Sequence, residues 1–133
     1  MFVNWKKVIG TALREDSKLS TFVAKDSSGL PVIGSLKLQA GLFPAIEWHQ
    51  IGGRDRNFSD DTVDQRSYNF QISIYTRDGS HVLIENEVDR IMRDLGFVCY
   101  FDHEAYEQDT KVYSRYLSYR ITVTRDMAER FNK

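Results

Sequence analysis

The stretch "SYNFQISIYTRDGSHVLIENEVDRIMRDLG", residues 67–96, sets the architecture of the chain. Its first half alternates, with Tyr68, Phe70, Ile72 and Ile74 on one face and Asn69, Gln71 and Ser73 on the other. That period of two marks a half-buried strand. The second half changes period. Ile84, Val88, Ile91, Met92 and Leu95 recur at helical spacing, and Asp78 or Ser80 supplies a cap. Gly96 follows where a helix commonly ends in the left-handed conformation. A strand and a helix that each carry one apolar face bury them together, so the helix packs on one face of a sheet.

Toward the C-terminus, "FVCYF" (97–101) reads as a short apolar strand and "DHEAYEQDT" as an acidic turn. "KVYSRYLSYRITVTR" is a long alternating strand, with Tyr113, Leu117, Tyr119, Ile121 and Val123 of one parity. Ser114, Tyr116, Ser118, Arg120 and Thr122 form its other face. "DMAERF" has the spacing of a capping box, Asp126 with Glu129, and predicts a brief final helix. Toward the N-terminus, Trp5, Val8, Ile9, Ala12 and Leu13 form the apolar stripe of a helix over 2–15. Asp16 or Ser17 caps a second short helix bearing Leu19, Phe22 and Val23, which "KDSSGLP" stops. Residues 31–42 offer no pattern beyond a short strand around Val32 and Ile33, and "FPAIEWHQI" (43–51) reads as a strand with Pro44 near its start.

These elements predict an α+β fold in the order α-α-β-β-α-β-β, a mostly antiparallel four-stranded sheet with helices packed on one face. The first two strands pair as a hairpin, as do the last two. Between the first two lies "GGRDRNFSDDTVDQRS", residues 52–67, polar throughout except for Phe58 and Val63. A connection that long and polar is functional or disordered more often than not. The expectation is one domain over 1–133 with a flexible arm at 52–67.

Composition bounds the function. The 133 residues are 41% hydrophobic and 28% charged, with a net charge of −1. That balance supports one real core and argues against an electrostatic, counterion-driven grip on nucleic acid. A single cysteine, Cys99, excludes an internal disulfide framework. No apolar run approaches the roughly 20 residues of a membrane span. Motifs for catalysis are absent: no P-loop, GxGxxG, GxSxG or HExxH occurs. His49, His81 and His103 fall on different elements, so no metal ligand set is expected. Asp102-His103-Glu104 fits a solvated turn, and Cys99 lies four strand residues from His103, about 13 Å, too far to be activated by it. No catalytic, metal or cofactor-binding residue is assigned. On the polar sheet face, Tyr116 and Arg120 have the chemistry of an interface.

The order of elements, with "FPAIEWHQIGG", the polar arm, "YNFQISIYTRDGSHVLIENEVDRIMRDLGF" and "SRYLSYRITVTRD", resembles the tail-terminator and head–tail joining (tail completion) proteins of long-tailed bacteriophages and prophages. The resemblance spans about residues 1–126 and rests on arrangement, with no invariant motif. It implies a structural virion protein, not an enzyme, that needs no cofactor. It implies a homo-oligomeric ring, commonly a hexamer, closing the tail tube and facing the head-completion or connector protein. DNA would pass only in transit through the lumen, and assembly would take place in the host cytoplasm. On this reading the arm residues Arg54, Asp55, Arg56, Phe58, Asp60, Asp61, Asp64 and Arg66 form a partner contact. A host adaptor module that binds a partner protein through the same arm is the rival expectation.

Overall fold

The computed structural model describes residues 2–38, 41–59 and 62–131. Its elements are α1 (Trp5–Arg14), α2 (Ser17–Phe22), β1 (Ile33–Ser35), β2 (Ala45–Ser59), β3 (Thr62–Thr76), α3 (Val82–Asp94), β4 (Val98–Glu107), β5 (Val112–Thr124) and α4 (Arg125–Phe131). The sheet runs β1-β2-β3-β5-β4. It is α+β and mostly antiparallel, but it has five strands where four were expected. The fifth, β1, pairs parallel with β2 through Ile33↔Ile46 to Ser35↔Trp48. Three residues are too few to show a period, so neighbours fix this strand. Ile46 N–H donates to the Val32 carbonyl (3.0 Å), and Arg14 Nε donates to the Ile33 carbonyl (3.1 Å).

One face of the sheet carries the core. Across the strands, Trp48, Ile72 and Leu117 lie in one row, and Phe70 pairs with Tyr119. Trp5, Ile9 and Leu13 of α1, Leu19 of α2, Ile84, Val88, Ile91 and Met92 of α3, and Ala128 of α4 join the same cluster. All four helices therefore bury their apolar stripes on one side. Gly10 allows α1 its close approach: a Cβ there would fall 2.6 Å from the Trp48 ring.

The helix ends are partly as expected. Asp16 caps α2, its carboxylate accepting the Leu19 N–H at 3.0 Å, and Gly96 takes a φ of 101° after α3. Neither Asp78 nor Ser80 caps α3, which begins after His81 without a side-chain cap. Asp78 instead accepts the Ser80 N–H (2.9 Å) and Thr76 Oγ1 accepts the Gly79 N–H (3.1 Å), so both shape the turn. The α4 cap is likewise Thr124, whose hydroxyl accepts the Met127 N–H at 3.4 Å, and Asp126 sits inside the first turn.

The largest departure is the polar stretch 52–67. It is not a loop between two strands but their continuation. β2 and β3 pair out to Phe58↔Val63 and Ser59↔Thr62 after a register shift between Gln50 and Gly52. β5 supports β3 only as far as Gln65↔Thr124. Beyond that point the hairpin runs on as a two-stranded ribbon, about 10 Å from Arg56 to Ser59 at strand rise. Gly53 allows β2 and β3 their close approach below the ribbon, because a Cβ there would meet the Ser67 carbonyl oxygen at 2.8 Å.

Arg90 ties the short helix α2 to α3. Its guanidinium donates to Asp16 of α2 (2.8 Å) and to Glu87 and Asp94 of α3. The Arg90 hydrogen bond holds the Glu87 carboxyl below its ordinary pKa, against the opposing pull of burial. A carboxyl lowered in the folded state adds stability above its unfolded pKa, about 4.3, and loses it as pH falls through the folded value. In Arg90→Gln, Glu87 keeps its burial without the Arg90 guanidinium and its folded pKa moves back up, so the variant is expected to melt lower than the wild type at pH 7 but to lose less of its melting temperature on acidification, the two profiles converging toward pH 3. Thermal melts from pH 3 to 7 check this. Superimposable profiles would mean the pair adds nothing.

Candidate interaction surfaces

Among the described residues, the expected contacts fall on the ribbon and the sheet face opposite the helices, and β4 forms an outer edge of the sheet.

On the ribbon and at its foot, where β5 still pairs with β3, the expected contact residues divide between two faces. Asp55 and Arg66 are cross-strand partners joined by Nη1–Oδ1 at 3.0 Å. They lie on the helix side, where the Arg66 guanidinium sits 4.4 Å over the Phe2 ring and 5.2 Å over the Tyr68 ring. Arg66 is thus held within the chain. Arg54 and Arg56 take the other face, opposite Ser67 and Gln65. Arg54 is exposed and its carbonyl accepts the Ser67 hydroxyl at 3.3 Å, Arg56 is half-buried, and Asp64 is exposed. The Phe58 backbone pairs with Val63. Asp60 and Asp61 lie outside the described residues.

The open sheet face has a polar centre, with Gln71, Ser73 and Ser118, and an aromatic margin toward β4. Tyr116 stacks on His103 (4.8 Å between centroids) and meets Tyr75 edge-on (6.4 Å). Arg120 shares this face, but four residues along β5 separate it from Tyr116 by about 13 Å. It donates to Asn69 Oδ1 (2.8 Å) and lies 4.4 Å over the Tyr100 ring. Sequence parity put Tyr116 and Arg120 on one face, and they are there, each engaged with different neighbours.

β4 is a ten-residue edge strand where a five-residue strand and an acidic turn were expected. Val98, Tyr100, Phe101 and Tyr106 along it are 57%, 44%, 56% and 47% exposed. A bulge between Cys99 and Phe101 changes the parity of the strand. Cys99 consequently faces the helices beside Tyr119, and His103 faces away beside Tyr116. The two residues are parted by opposite faces, not by length along one face. Burial pushes the Cys99 thiol pKa up. The same cause, followed by the hydrogen bond it donates to Asp89 (2.8 Å), pushes the Tyr119 hydroxyl upward. Among the described residues no three His, Cys, Asp or Glu side chains gather as a metal site.

No protein-family model matches the chain, and no curated protein sequence does. A solved structure does share the fold. A chain from the "Virion of native gene transfer agent (GTA) particle" superimposes with a TM-score of 0.58 at 13% identity, over 87% of this chain and 91% of that one.

Proposed function

We propose that this protein is a structural subunit of a phage-like particle, and within it a ring-forming tail-terminator or head–tail joining protein. The observation that carries the reading is the shared fold, which runs nearly end to end through both this chain and a chain of a virion particle. The resemblance in the order of elements points the same way. In this reading the ribbon is the contact element. It projects past the sheet, carries charges of both signs, and reaches first a neighbouring subunit, then the tail tube.

The test combines electron microscopy of the purified protein with a shortened ribbon. Arg56 and Gln65 are cross-strand partners, so replacing residues 57–64 by Asn-Gly closes the hairpin with a two-residue turn. The wild type is expected to form rings, alone or once tail-tube protein is added. The shortened chain should melt within a few degrees of the wild type, because none of the core residues among those described is removed, yet fail to assemble on tails. Wild-type protein that stays monomeric with tail-tube protein present would count against the ring.

A further inference from the structure

The two ends of the sheet carry opposite charge. From Val98 to Lys111 the β4 edge and its turn hold Asp102, Glu104, Glu107 and Asp109 against the one cation Lys111. Arg115 takes up Asp102, at 2.5 Å, and also binds Glu85. Glu104 is 72% exposed, with only a long 3.7 Å contact to His81, and Glu107 and Asp109 are exposed. At the other end, a groove between α1 and the β1–β2 edge is lined by Asn4, Lys6, Lys7, Arg14, Ser35 and Trp48, with Gly10 and Thr11 between them and no carboxylate. Lys6 and Lys7 are exposed, and Arg14 lies 5.0 Å over the Trp48 ring.

We infer that the β4 edge of one copy docks into the α1 groove of the next, Glu104 and Glu107 meeting Lys6 and Lys7. The inference rests on the ring reading and says which patches would build the ring. Three observations support a second copy as the occupant. The patches are complementary in charge. They differ from one another and lie at opposite ends of the sheet, four strand spacings or about 19 Å apart, as a closed head-to-tail ring requires. The acidic strand is also a long unpaired edge with exposed Val98, Phe101 and Tyr106, a feature that folds otherwise cover or shorten.

Charge reversal tests the contact. Glu104→Lys with Glu107→Lys makes both patches basic, and Lys6→Glu with Lys7→Glu makes both acidic. All four side chains are exposed, so circular dichroism and melting should match the wild type. Each variant alone is expected to associate on the order of a hundredfold more weakly than the wild type, since like charges then face each other. Mixing the two variants should restore assembly, because each then presents the sign its partner lacks. The fourfold reversal should assemble by itself. Light scattering at low salt reads all of these. Two single-sign variants that assemble alone, beside an assembling wild type, would overturn this contact and leave the ring standing. A wild type, mixture and fourfold variant that all stay monomeric even with tail-tube protein present would overturn both. If the lysine variant keeps its assembly but loses retention of double-stranded DNA, the groove is a phosphate site and the inference falls.

Discussion

Ile72→Asp is expected to yield a chain with no cooperative unfolding transition. Ile72 is fully buried, in the central strand β3, between Trp48 of β2 and Leu117 of β5. Its side chain points into the layer filled by α1 and α3. Losing its burial costs about 2–3 kcal/mol. Placing a carboxylate there adds several more, because the site is apolar and the charge unpaired. The sum is comparable to the whole stability of an ordinary domain, about 5–15 kcal/mol. Far-UV circular dichroism through a thermal ramp reads the outcome. Ile72→Val is the control: it keeps the shape, should cost about 1 kcal/mol, and should melt cooperatively. A cooperative melt of Ile72→Asp near the wild-type temperature would refute the assignment of this face to the core.

Trp5→Ala is expected to cost about 3–5 kcal/mol, lowering the melting temperature by about 10–20 °C. Trp5 is 1% exposed and gathers three rings from distant parts of the chain. Phe97 meets it edge-on at 5.1 Å, Tyr68 at 6.5 Å, and Phe131 leans on it at 4.7 Å. Trp5→Phe should be much cheaper than the lost volume suggests, less than about 2 kcal/mol. The indole Nε1 is buried and has no hydrogen-bond partner among the described residues, so its removal relieves an unsatisfied donor. Urea midpoints at constant slope separate the two variants. Equal losses for Ala and Phe would show that the hub depends on the full indole and not on ring packing.

What could be read from the amino acids follows one physical condition: an element shows a period only if it buries one face. β3, α3 and β5 each do, and their inward residues were legible, although β3 begins at Thr62 within the expected arm and α3 starts after His81. α1 was legible for the same reason. β1 has three residues, too short for any period, and is defined by its backbone bonds to β2 and by Arg14. The extension of β4 is exposed along its whole outer half, so its residues Asp102 to Glu107 read as a turn. The ribbon strands beyond Gln65 have no third strand to lie on, and their charges occupy both faces. On the candidate surfaces, parity correctly put Tyr116 and Arg120 together. Their partners His103, Tyr75, Asn69 and Tyr100 come from other strands, and cross-strand register is not written locally. The Cys99–Phe101 bulge shows how one unpaired residue reverses a parity argument for everything after it.

The aromatic hub around Trp5 also sets an order of events during synthesis. Trp5 is made early, whereas Tyr68, Phe97 and Phe131 follow 63, 92 and 126 positions later. At ribosomal rates of about 5–20 residues per second, roughly 6–25 s separate the emergence of Trp5 from that of Phe131. Until β2 and β3 have emerged, α1 is an amphipathic helix whose apolar stripe has no sheet to dock on, and ten residues are marginal as a helix in isolation. The segment around Trp5, made before its partners, is therefore among the last to be finished, and a nascent chain of this protein must keep Trp5 sheltered or solvated until Phe97 and Phe131 have arrived.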